Sequence, residues 1–195
     1  MRAALLDAAL ALNEILHPTV RPDVTIVGGT ACLVHGGLRP TEDVDVVGLN
    51  AETINAIQEA IQGDPRFTAN GLQIGYYSTR LDISVQIELL CAHGNPGSVL
   101  PPMGLAVEVM GVRVAQLEDL ILSKPVAFMD RGDDSDFSGA EWGLKLLAQR
   151  GGSMQGVDEE ALREVVADLE ATRVWDKSSD ALAELLLQVG IQVGV

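Results

Sequence analysis

Cysteine is scarce: Cys32 and Cys91 are the only two in 195 residues. They stand far apart, form no metal-spaced pair and supply no disulfide framework. Reduced, small core residues in a cytoplasmic protein are the expectation. Aromatic residues make up only 4%, so Leu, Val, Ile and Ala must fill the interior. Cations are also few. Thirteen Lys and Arg face 28 Asp and Glu, a net charge of −15. A broad nucleic-acid groove needs clustered Lys and Arg, so nucleic acid is not expected as a partner. A single nucleotide needs only one or two cations and a metal, and is not excluded. No run of about 18 apolar residues lacks charge, which argues against a membrane span. Asp7 and Glu14 interrupt the apolar N-terminus, and no small-residue cleavage pattern follows, so it does not read as a signal peptide. No G-x-S-x-G, Walker A, G-x-G-x-x-G or H-E-x-x-H signature occurs, which leaves serine hydrolase, P-loop and zincin readings without support.

What is present is a folded chain. It is 47% hydrophobic and 21% charged, enough for one domain, or one domain with a helical appendix. A helix is expected over residues 2–16, ended by Pro18 and Pro22. A short β-branched strand, Val24–Val27, runs into Gly28-Gly29. A helix over 30–36 follows, then a strand over 43–47. Ile54, Ile57 and Ile61 carry the spacing of a helix over 51–62. Residues 71–78 read as one strand. Leu81 to Leu90 alternates apolar and polar positions, the period of a half-buried strand. Residues 93–104 read as a loop, and 106–114 as a hairpin turning near Met110-Gly111. Helices are expected over 116–129, 138–149, 158–171 and 178–189, with a polar loop at 131–138. Asp158 and Ser178 are plausible N-caps. Strands fill the first half and helices the second, an α+β layout. The expected organisation is a sheet core with its N-terminal helix over 1–115, and a helical C-terminal part of the same unit over 116–195.

The chemistry concentrates between Val24 and Val47. Asp43 and Asp45 stand two apart in a strand, roughly 6–7 Å along the chain and on one face. Two carboxylates so placed can converge on one ion or on a closely spaced pair. Val44 and Val46 then face the core. Gly28-Gly29 lets backbone approach a ligand closely, and its N–H groups open onto a helix N-terminus where phosphate is favoured. Thr30 adds a hydroxyl there. Glu88, on the polar side of the alternating strand between Ile87 and Leu89, supplies a third acid. Asp82 faces the same way and competes for that role. Three carboxylates within about 5 Å repel by roughly 3 kcal/mol per pair at an effective dielectric near 20. A divalent cation relieves this. Oxygen-only ligands point to Mg²⁺ or Mn²⁺ and away from Zn²⁺.

The order apolar-Gly-Gly-Thr, then Asp-x-Asp, then apolar-Glu-apolar resembles the nucleotidyltransferase superfamily with the DNA-polymerase-β fold. The nearer likeness is to its minimal, MNT-like and AbiEii-like members. Gly28-Gly29-Thr30-Ala31 and Arg39-Pro40-Thr41-Glu42-Asp43-Val44-Asp45 carry it, over about residues 20–150. The resemblance implies an α+β fold, a short mixed sheet with helices on one face. It also implies metal-dependent transfer of a nucleoside monophosphate from an NTP to an acceptor. By the same likeness Asp43, Asp45 and Glu88 are the catalytic and metal-holding acids. Gly28, Gly29, Thr30 and Arg39 would hold the triphosphate. Lys124, Arg131 and Asp136 fit the helix that follows the sheet in AbiEii-like members, with Lys124 toward phosphate and Arg131 toward the loop or nucleotide. Two positions depart from the pattern. Pro125 directly follows Lys124, and Glu stands where Asp is commoner for the third acid.

Other residues read as structural. His35 suits a hydrogen-bonded role, Trp142 and Trp175 suit packing, and Asp133, Asp134 and Asp136 suit a solvated loop. Three functional classes remain open. The first is an enzyme moving a nucleotide onto a small molecule or protein. The second is a repurposed fold that binds or converts an apolar small molecule without NTP, in keeping with the mean hydropathy of +0.21 and few cations. The third is a toxin- or antitoxin-like partner protein. Sequence alone names neither the acceptor nor the oligomeric state.

Overall fold

The computed structural model describes residues 1–37, 41–92, 106–123 and 134–152, with positions 188 and 190. Arg39, Lys124, Pro125, Arg131, Asp133, Trp175, the loop at 93–104, the helix expected at 158–171 and, apart from position 188, the helix expected at 178–189 lie outside the described residues. The chain divides into two compact units, Met1–Gln116 and Leu117–Val195.

The first unit opens with α1 (Arg2–Ile15), which buries Ala4, Leu5, Ala8, Ala9, Ala11 and Leu12. That stripe has the helical repeat, and its alanines let the helix lie close to the sheet. There follow β1 (Val24–Ile26), α2 (Gly28–Val34), β2 (Asp43–Gly48), α3 (Ala51–Gln62), β3 (Phe67–Asn70), β4 (Gln73–Ser78), β5 (Ile83–Cys91), β6 (Val107–Val109) and β7 (Val112–Val114). The Asn50 side chain caps α3 by accepting from the Thr53 N–H at 2.9 Å.

The seven strands form one mixed sheet in the order β3-β4-β5-β2-β1-β7-β6. β2 runs parallel to β5, and β1 parallel to β7; the other neighbours are antiparallel. Val44, Val46, Ile74, Ile87 and Leu89 point to the covered face and are at most 1% exposed. Each such side chain contributes about 1.5–3 kcal/mol of burial. The Asp7 carboxylate of α1 reaches this face, accepting from the hydroxyls of Tyr76 and Ser78. The other face of β3, β4 and β5 presents polar, exposed side chains. His35, at the end of α2, donates from Nε2 to the Ala115 carbonyl at 2.8 Å, the structural role expected of it.

Two elements depart from the sequence reading. The strand expected at 71–78 is the second arm of a hairpin whose first arm is β3, with Gly71 at φ +64° between them. Only Phe67 of β3 is buried, so the strand carries little alternation to read. The polar stretch expected as a loop at 131–138 is helical from Asp134 onward, as α5 (Asp134–Gln149). Acidic residues at a helix start complement the helix dipole, so polarity alone did not signal a loop.

In the second unit, residues 117–123 are helical (α4). Gly143 of α5 admits Ile121, since a Cβ there would stand 2.6 Å from Ile121 Cγ1. Cys32 and Cys91 form no disulfide. Among the described residues no helix is long and apolar enough to cross a membrane.

Candidate active site

Strand pairing brings the acids together. In the parallel β2–β5 ladder Asp43 stands opposite Gln86, and Asp45 opposite Glu88. Because Val44 and Val46 are driven into the core, Asp43 and Asp45 must project from the other face. Carboxylate oxygens of Asp43, Asp45 and Glu88 all lie within 4.8 Å of one another. The two aspartates are half-buried and Glu88 is exposed. A donor set made only of carboxylate oxygens suits a hard divalent cation.

The glycine pair frames this cluster. Gly28 has φ +61°, and a Cβ built on it would fall within the Asp45 carboxylate. A Cβ on Gly29 would stand 2.5 Å from Thr41 Oγ1. Both glycines therefore make room for the acidic strand. The Val27 N–H donates to the Asp45 carbonyl at 2.9 Å, which ties the glycine turn to β2.

Thr30 takes a different place from the ligand-facing one expected. It is fully buried, and its hydroxyl donates to the backbone carbonyl of Asp43 at 2.8 Å. It fixes the start of β2 and presents no free hydroxyl to a ligand. Thr41 stands in the run that carries the resemblance but was given no role from sequence; its hydroxyl donates to Asp43 Oδ1 at 2.9 Å. The signal was present in the run Thr41-Glu42-Asp43, where a hydroxyl two residues before an acid can turn back to bond it. Asp82 does not join the cluster. It sits in the turn before β5 at φ +54° and accepts from the Tyr77 hydroxyl. Arg39, Lys124 and Arg131 lie outside the described residues, and the side chain of Asp136 is likewise not described.

A family model described as "Nucleotidyltransferase of unknown function (DUF6036)" matches residues 3–141. The chain belongs to this family. It is thus a nucleotidyltransferase, an enzyme of the class that moves a nucleoside monophosphate. The crystal structure of an antigenic nucleotidyltransferase-like protein from Paracoccidioides brasiliensis shares the fold. It aligns at a TM-score of 0.55 and 18% identity, over 93% of this chain and 94% of that one. ANT(2")-Ia in complex with adenylyl-2"-tobramycin aligns at a TM-score of 0.46 and 15% identity, over 87% of this chain and 97% of that one. No curated protein matches the sequence.

Proposed function

We propose that this nucleotidyltransferase moves a nucleoside monophosphate from an NTP to a hydroxyl of a small-molecule or protein acceptor, using Mg²⁺ or Mn²⁺ held by Asp43, Asp45 and Glu88. The convergence of these three carboxylates from two neighbouring strands carries the reading. The donor set fits the ion, since it offers oxygen alone and a concentrated negative charge. When bound, the ion supplies charge neutralisation for the phosphates and acidifies an attacking hydroxyl.

The remaining roles fall to the chain itself. Thr41 and Thr30 hold Asp43 by its side chain and its backbone, so the acid is oriented before a ligand arrives. Gly28 and Gly29 stand at the start of α2, which has no side-chain cap, and their N–H groups are proposed to receive phosphate oxygens. Arg39, Lys124 and Arg131 are the cations proposed for the triphosphate. Glu88 is the most exposed of the three acids and is proposed to accept the proton of the acceptor hydroxyl. The acceptor oxygen then bonds to the α-phosphorus, the bond from that phosphorus to the β-bridging oxygen breaks, and pyrophosphate departs. The net charge of −15 favours an acceptor that is not a polyanion.

Labelled-NTP transfer by wild type and Asp45→Asn, alongside melting curves of both, tests this. Asn keeps the size of Asp and loses its charge. Transfer should be abolished, while the metal-free melting temperature is kept or raised because repulsion falls. Wild type that consumes no NTP with any acceptor, and shows no Mg²⁺-dependent shift in melting, would overturn the reading.

A further inference from the structure

Two rows of side chains cross the open face of the sheet. The first runs Asp43, Gln86, Gly75, Thr68, through the pairs Asp43–Gln86, Gln86–Gly75 and Gly75–Thr68. The second runs Asp45, Glu88, Gln73, Asn70, through Asp45–Glu88, Glu88–Gln73 and Gln73–Asn70. Each row begins in the carboxylate cluster and ends in neutral hydrogen-bonding groups. Directly paired positions lie about 4.5–5.5 Å apart, so Gln73 and Gln86 are the immediate neighbours of the acids. Over the neutral half lies an open cavity of about 670 Å³, a volume within the usual range for small-molecule sites. Its lining includes Thr68, Asn70, Gln73, Gly75, Ser84 and Gln86. Thr68 leans over Gly75, where a Cβ would stand 2.6 Å from its Oγ1.

We propose that this floor is the acceptor subsite, and that it takes a polyhydroxylated small molecule without negative charge, a sugar or cyclitol, neutral or amino-substituted. The inference rests on the nucleotidyl-transfer reading and names its acceptor class. Primary amides carry a donor and an acceptor together, which matches the paired donor and acceptor character of neighbouring hydroxyls. Ser84 and Thr68 extend the same chemistry outward. Among the described residues the charged side chains lining the cavity are the carboxylates of Glu42 and Asp43, and Met1, at the amino terminus, lines it as well. A phosphorylated acceptor would meet these two carboxylates there. A polyol seated on Gln73 and Gln86 presents a hydroxyl beside Glu88. That hydroxyl loses its proton to Glu88, its oxygen bonds to the α-phosphorus, and pyrophosphate leaves.

The test is a panel of neutral sugars, cyclitols and amino sugars, each paired with its phosphorylated counterpart, plus an RNA oligonucleotide. Binding is read by saturation-transfer NMR on the full chain, with and without Mg²⁺ and a non-hydrolysable NTP. Turnover is read with labelled NTP. Unphosphorylated members should bind and accept label, and their phosphorylated counterparts should not. Gln73→Leu and Gln86→Leu should each raise the acceptor KM by about tenfold, the loss of one hydrogen bond, with little change in the NTP KM. Both side chains are exposed, so folding should survive. Gln86→Lys should shift preference toward the phosphorylated partners. Better binding of phosphorylated compounds or RNA by wild type, failure of every polyol to bind, or an acceptor KM unmoved in both Leu variants would overturn the inference. Mg²⁺–NTP binding with none of these preferences would sink this inference alone. Polyol binding that depends on Gln73 and Gln86, with no NTP consumed, would instead remove the transfer reading.

Discussion

Asp45 occupies the space that a side chain at Gly28 would need. The first residue of α2 has no Cβ and a positive φ, and the Asp45 carboxylate of β2 lies against it. The glycine-rich turn therefore shapes the acid cluster directly.

Gly28→Ala should disrupt both features. The left-handed backbone costs a non-glycine residue about 1–2 kcal/mol, and the new methyl must displace Asp45. The expected outcome is a lowered melting temperature together with loss of the Mg²⁺-dependent stabilisation. Retention of that stabilisation would show that Asp45 can hold its place without help from residue 28.

Thr41→Val keeps shape and removes the hydroxyl that donates to Asp43 Oδ1. Outer partners of metal ligands typically contribute 10–100-fold to affinity, and the lower end is expected at this half-buried position. Isothermal titration with Mn²⁺ should show affinity weakened by about tenfold. Thr41→Ser, which keeps the donor, should restore it.

Acid stability should depend on Asp7. The Ser78 hydroxyl, aided by Tyr76 and Arg80, holds this carboxyl below its ordinary value of 3.8 against the opposing effect of burial. A folded pKa below the unfolded one adds stability that is complete above the unfolded value. It is lost as pH falls through the folded value. Urea midpoints measured from pH 6 down to pH 3 should fall for wild type. In Asp7→Asn the midpoint should start lower and fall less over the same range.

Asp119 carries the opposite sign. Burial, with Glu118 beside it, raises its pKa from 3.8 to about 6. Such a group favours the folded state below its unfolded pKa, and that advantage is lost as pH rises through about 6. Asp119→Asn, which cannot ionise, should therefore melt higher than wild type at pH 7.5, with the difference shrinking toward pH 5. An unchanged difference across that range would rule out titration of Asp119 as its source.

Local pattern alone was enough for much of the molecule. Three isoleucines at helical spacing specified α3, and its bounds at residues 51–62 were legible. Alternation from Ile83 to Leu89 specified a one-sided strand, though Leu81 and Asp82, read into it, form the turn before β5, and Asp43-x-Asp45 flanked by valines placed two carboxylates on one face. These are properties of a chain segment and its own periodicity. The pairing of β2 with β5 is not. Asp45 meets Glu88 because two strands far apart in sequence lie parallel in one register, and a slip of one residue would turn Glu88 into the core. The same long-range register sets Gln73 beside Glu88 and Gln86 beside Asp43. No spacing along the chain encodes those neighbours. Packing likewise turned Thr30 away from any ligand and gave Thr41 its partner, since burial and hydrogen-bond satisfaction are settled only once α2 closes over the start of β2. The sequence determined which chemistry was available. The sheet decided which residues share it, because strand register is a cooperative property of the whole layer.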